Sequence, residues 1–89
     1  MYCYLVVFGQ NDADASGAIL QAFPLHNFPI LPGKAWVVAS EHPTCGEICE
    51  AVGMVPGGSH SGVVSRMDEY NGFFVQTLWE KINVWRSHS

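Results

Sequence analysis

The stretch Lys34–Ala51, KAWVVASEHPTCGEICEA, constrains the fold more than any other part of the chain. It opens with Ala35-Trp36-Val37-Val38-Ala39, a continuous apolar run rich in β-formers. A strand without polar alternation needs cover on both faces, so this one is expected in a sheet interior. Ser40-Glu41-His42-Pro43 then breaks the run. Thr44 and Glu47 form a T-x-x-E capping box, in which the threonine oxygen takes one orphan amide of a helix start and the glutamate carboxylate returns to another. Cys45, Ile48, Cys49 and Val52 recur at i, i+3, i+4 and i+7, one stripe of that helix. Gly53 stands where a left-handed residue closes it.

The rest of the chain supplies matching elements. Tyr2–Phe8 is a second continuously apolar strand, also expected near the sheet centre. After Gly9-Gln10-Asn11, Asp12 or Asn11 caps a helix, with Asp14 in its first turn. Ala15, Ala18, Ile19, Ala22 and Phe23 give that helix its buried side, and Pro24 stops it. Asn27–Leu31 and Ala35–Ala39 form a hairpin across Pro32-Gly33. Pro29 lacks a ladder donor, which places its strand at a sheet edge. Val55–Ser61 reads as a loop, Gly62–Met67 as the fourth strand and Asp68–Gly72 as a polar turn. Phe73–Arg86 reads as a helix, with Val75, Leu78, Trp79 and Ile82 at helical spacing and Trp85 on its flank.

The order β-α-β-β-α-β plus a C-terminal helix predicts an α+β fold. With right-handed crossovers it becomes a ferredoxin-like antiparallel sheet with two helices on one face. Residues 1–89 read as a single domain. The second sheet face is left to Trp79 and Trp85, or to another copy of the chain. An uncovered apolar face is the physical reason for expecting a homodimer.

Charge narrows the partners. The net charge is −4, and Lys34, Arg66, Lys81 and Arg86 are the only Lys and Arg residues. Phosphate neutralisation needs several cations on one face, so direct nucleic-acid binding is not expected. A basic protein partner fits the acidic balance better. The thiols Cys3, Cys45 and Cys49 are odd in number, with no basic leader before Tyr2–Phe8, which suggests reduced cysteines and a cytoplasmic setting. Seven apolar residues are too few to span a bilayer.

Few constellations suggest chemistry. His42, Cys45 and Cys49 offer metal-ligand types close together, but structural zinc favours paired knuckles, and the thiols equally suit a helix core stripe. Cys45 near a helix start would gain thiolate character, without an evident orienting partner. Asp12 and Asp14 offer oxygen ligands for Mg²⁺, or simply helix capping. No cofactor is expected.

The Met1–Val7 strand, the Ala-Trp-Val-Val-Ala-Ser strand before a capped helix, and Val63–Phe73 before a tryptophan-bearing helix together resemble a known family. They are similar to small ferredoxin-like proteins related to the CRISPR-associated integration subunit first described as an endoribonuclease. The resemblance implies a ferredoxin-like fold and symmetric dimers. It also implies a metal-binding Asp at the end of the first strand, where this chain has Phe8-Gly9-Gln10 and no carboxylate before Asp12.

These features converge on a non-enzymatic interaction module, dimeric and acidic, that regulates or inhibits a larger complex. A nucleic-acid-binding complex of phage defence would be one such target. Asp68, Glu69 and Glu80 are expected to face Lys or Arg of the partner, with Tyr70, Phe73 and Trp85 as aromatic contacts. Two alternatives are a metal-dependent nuclease using Asp12 or Asp14 and a sensor holding a small ligand across the open sheet face.

Overall fold

The computed structural model describes residues 1–9, 14–68, 72 and 76–87. Four strands and three helices alternate as β1 (Tyr2–Phe8), α1 (Ser16–Ala22), β2 (Asn27–Leu31), β3 (Ala35–Ser40), α2 (Cys45–Val52), β4 (Gly62–Arg66) and α3 (Gln76–Ser87). The strands form one antiparallel sheet in the order β2-β3-β1-β4. Thus β1 and β2 run parallel with β3 between them, and β3 and β4 run parallel with β1 between them. The two crossover units interlock, and the two continuously apolar strands occupy the sheet centre.

Both faces of that centre are covered. Every residue of β3 is buried. On one face Tyr4, Val6, Phe8, Trp36 and Val38 meet Ile19 of α1, its neighbours Ala15 and Phe23, and Ile48 and Val52 of α2. Phe8 sets its ring edge-on to Trp36, with centroids 5.7 Å apart. On the other face Cys3, Val37 and Ala39 meet Leu78, Ile82 and Trp85 of α3, with Trp79 at the margin. Large apolar side chains contribute about 1.5–3 kcal/mol each when fully buried. The C-terminal helix therefore takes the place left open between itself and a second copy, and an uncovered face no longer argues for a dimer.

Local chemistry explains the boundaries. The β2–β3 hairpin turns at Leu31–Lys34, where Lys34 N–H donates to Leu31 O at 3.0 Å and Gly33 takes φ 74°. Pro before a positive-φ Gly is the type II pattern. Pro29 sits on the edge strand, as its missing donor requires, beside a register shift between Pro29 and Leu31. Thr44 caps α2 by accepting from Glu47 N–H, and Gly53 ends it at φ 83°.

Some boundaries differ from the sequence reading. α1 begins at Ser16, with Ala15 at its N-cap, so Asp14 precedes the helix and lies outside its first turn. Its carboxylate instead accepts from Ser16 N–H at 2.8 Å and Ser16 Oγ at 2.6 Å, a turn of its own. β4 stops at Arg66, one residue earlier than expected. The return limb of the capping box is also redirected. Glu47 Oε1 accepts from the Thr44 hydroxyl at 3.2 Å, while Oε2 lies 2.6 Å from His42 Nδ1.

Candidate functional site

The densest polar arrangement lies where β3 hands over to α2. Buried Tyr4 reaches across from β1 and its hydroxyl donates to His42 O at 2.6 Å. Ser40 Oγ accepts from His42 N–H at 3.1 Å. From the end of β4, Arg66 Nη1 donates to Pro43 O at 3.3 Å and Nε donates to both Asp68 carboxylate oxygens, at 3.1 and 3.2 Å. The same guanidinium lies 5.5 Å from the Tyr2 ring centroid. The corner fixes the loop 40–44 from three strands. It presents the exposed His42–Glu47 pair and the Arg66–Asp68 pair to solvent.

Burial pushes the Tyr4 phenol above its ordinary range, with a smaller contribution from Cys45. Burial likewise raises the Cys3 thiol, against the opposing pull of Arg86. A thiol shifted that way stays protonated and weakly nucleophilic at neutral pH, so Cys3 is a core residue in chemistry as well as packing. The hydrogen bonds from the Ser16 hydroxyl and amide hold the Asp14 carboxyl below its usual range.

Two clefts flank this corner. One, of about 430 Å³, runs between the end of α1 and the end of β3, with Phe23 and Leu25 on its apolar side and His26, Glu41 and His42 on its polar side. The other, of about 200 Å³, lies between Tyr2, Cys3, Arg66, Asp68 and Arg86.

The residues singled out in the sequence disperse. His42 pairs with Glu47, while Cys45 and Cys49 are half-buried in the α2 stripe, Cys45 against the first core. Among the described residues no group of three or more His, Cys, Asp or Glu side chains could hold a metal ion. Asp14 is exposed and occupied by Ser16. Asp68 is exposed and paired with Arg66, and Glu80 is exposed on α3. Trp85, expected at a partner surface, is only 5% exposed and packs in the second core beneath Lys81. Asp12, Glu69, Tyr70 and Phe73 lie outside the described residues. The α3 helix also occupies sheet surface on which a ligand was expected to lie.

Sequence reasoning missed the roles of Tyr4 and Arg66. Tyr4 was hidden in an apolar run, where its hydroxyl was the one group requiring a partner. Arg66 had a signal in being a lone cation at a strand end of a cation-poor chain.

Fold and corner together define a small α+β scaffold with an antiparallel four-stranded sheet between two helical layers. No protein-family model, curated protein or solved structure matches the chain. No helix among the described residues is long and apolar enough to cross a membrane.

Proposed function

We propose that the chain is a non-enzymatic interaction module on a ferredoxin-like scaffold, which offers an acidic surface to a basic protein partner. The interlocked crossovers and antiparallel pairing support the ferredoxin-like assignment. The observation that carries the functional reading is the disposition of charge. Each of the four cations makes a contact within the protein, while Arg66, Lys81 and Arg86 remain exposed. Lys34 Nζ donates to Gly9 O at 3.4 Å, Arg66 pairs with Asp68, Lys81 Nζ lies 5.9 Å over the Trp85 ring, and Arg86 Nη1 donates to Met67 O at 3.4 Å. Glu41, Glu50 and Glu80 meanwhile stand exposed. The net charge of −4, with carboxylates such as these at the surface, favours and steers encounter with a basic surface. In this reading the module regulates or inhibits a larger complex by covering cationic residues of it.

The test is capture of partners by the tagged protein from nuclease-treated host extract, repeated at raised salt. The expected result is a stoichiometric basic protein whose retention weakens as salt rises. Capture that vanishes with nuclease treatment overturns the reading. A second check is the pair Asp68→Lys with Glu69→Lys, expected to slow association. An unchanged association rate removes the electrostatic part.

A further inference from the structure

We propose that β4 is a self-pairing edge, and that two copies of this chain join antiparallel through it into one continuous sheet centred on Val64. The inference goes beyond the proposed function and stands independently of it.

The two edges of the sheet are treated differently. β2 carries Pro29 and a register shift, both of which discourage pairing of an outer edge. β4 carries neither proline, lysine nor bulge, and it is exposed along most of its length. Its single charge, Arg66, is already matched by Asp68 at 3.1 Å. Although the chain is acidic overall, β4 together with Asp68 is charge-neutral, so two copies meet here without opposing like charges.

The hydrogen-bond phase selects the register. Gly9 N–H donates to Ser61 O and Met67 N–H donates to Cys3 O, each at 2.9 Å, within a ladder that pairs Val7 with Val63 and Leu5 with Ser65. In an antiparallel ladder these inward groups recur at every second residue. The amides and carbonyls of Gly62, Val64 and Arg66 therefore point away from β1, toward the outer edge of the sheet. Arg66 O also accepts Asp68 N–H at 3.1 Å, which leaves it a second lone pair. A two-fold axis at Val64 sets these groups against their own copies in hydrogen-bonding phase, with Val64 opposite Val64 of the second copy and Gly62 opposite its Arg66.

Side chains agree with that register. The one bulky, charged position of the strand meets glycine, so Arg66 finds room. Gly62 is itself fixed by the fold, since a Cβ there would sit 2.0 Å from Val7 O. Val64 meets another β-branched residue, a favourable cross-strand pair. On the opposite face Val63, 66% exposed, comes beside Ser65 of the second copy. The exposed side chains of Val7 and Val63, neighbours across the β1–β4 pair, then adjoin the second copy's sheet instead of ending at solvent.

Sedimentation of the purified full chain tests this directly. The expected mass at micromolar concentration is twice the 9.8 kDa of one chain. Val64→Pro removes an outward amide that the β1 ladder does not use, and it is expected to halve the mass. A register test uses exposed positions that leave the core intact. V63K/S65K puts lysines opposite lysines across the axis and is expected to give monomers. V63E/S65K puts glutamate opposite lysine and is expected to retain the dimer. Circular dichroism establishes that each variant is folded. A wild-type chain that sediments as a monomer overturns the proposal, including where the edge accepts a strand from another protein instead. A V63K/S65K variant that remains dimeric overturns it too. Neither outcome touches the capture of a basic partner, and a failed capture leaves the dimer standing.

Discussion

Tyr4 is a buried phenol whose hydroxyl has one protein acceptor, the His42 carbonyl at 2.6 Å. Removing that hydroxyl takes the donor from a part-buried hydrogen bond to the loop after β3. Tyr4→Phe is therefore expected to cost about 1 kcal/mol in urea denaturation at neutral pH. The same residue sets an alkaline limit. Its folded value is raised above an unfolded value near 10, so above that pH the unfolded state releases a proton that the folded state retains. Stability from this group is intact below the unfolded value and declines as pH rises past it. Tyr4→Phe should flatten this part of the alkaline decline, and parallel alkaline slopes for the two proteins would sink the assignment. Asp14 works in the opposite sense. Its folded value lies below an unfolded value near 3.8, so its contribution is present above that value and is lost as pH falls through the folded one. Cys3 adds a kinetic readout. Its thiol is 3% exposed and held protonated by burial, whereas Cys45 and Cys49 are partly accessible. Alkylation under native conditions should modify Cys45 and Cys49 well before Cys3, with Cys3 labelled only as fast as the chain opens.

At the scale of elements, α2 shows what a sequence can specify. Its cap, buried stripe and closing glycine are local patterns, and each is where the spacing put it. Thr44→Ala should cost about 1 kcal/mol through the lost cap, read as a shift in denaturation midpoint. Retention of full stability would mean that the His42–Glu47 contact alone holds the helix start. The centrality of β1 and β3 was legible for the same reason, because unbroken apolarity admits few other placements. α1 was less legible at its start. Asp12 and Asp14 both qualify as caps by type, and only the approach of Asp14 to Gly33 and Ser16 shows the latter engaged elsewhere. The candidate site was least legible. Its corner joins Tyr4 of β1, Arg66 of β4 and His42 of the loop after β3, and no local spacing encodes a contact between residues 38 positions apart. Trp85 illustrates the same limit. An aromatic on a helix flank suits a partner surface or a core equally well until the direction of α3 across the sheet is known.

Over the whole molecule, a radius of gyration of 12.3 Å matches the ~12 Å expected of a compact chain this long. Compactness here is reached with two cores that share a single sheet. One lies under α1 and α2 and the other under α3, and β1 and β3 contribute alternate residues to both. Val37 and Val38 are neighbours in sequence yet belong to opposite cores. Loss of either helical layer thus exposes one face of the same two strands, which argues for one cooperative unit. Ile48 and Ile82, each fully buried on opposite faces, give the test. Ile48→Ala and Ile82→Ala should each destabilise the chain by about 2–5 kcal/mol. They share no side-chain partner across the sheet, so their effects should add in the double variant to within about 0.5 kcal/mol. Fluorescence of Trp36 in the first core and of Trp85 in the second should follow one urea transition in Ile82→Ala, and variants retaining a single tryptophan separate the two signals. An earlier transition confined to Trp85 would show α3 to be a detachable layer. The sheet face beneath it would then be a surface that the helix covers only part of the time.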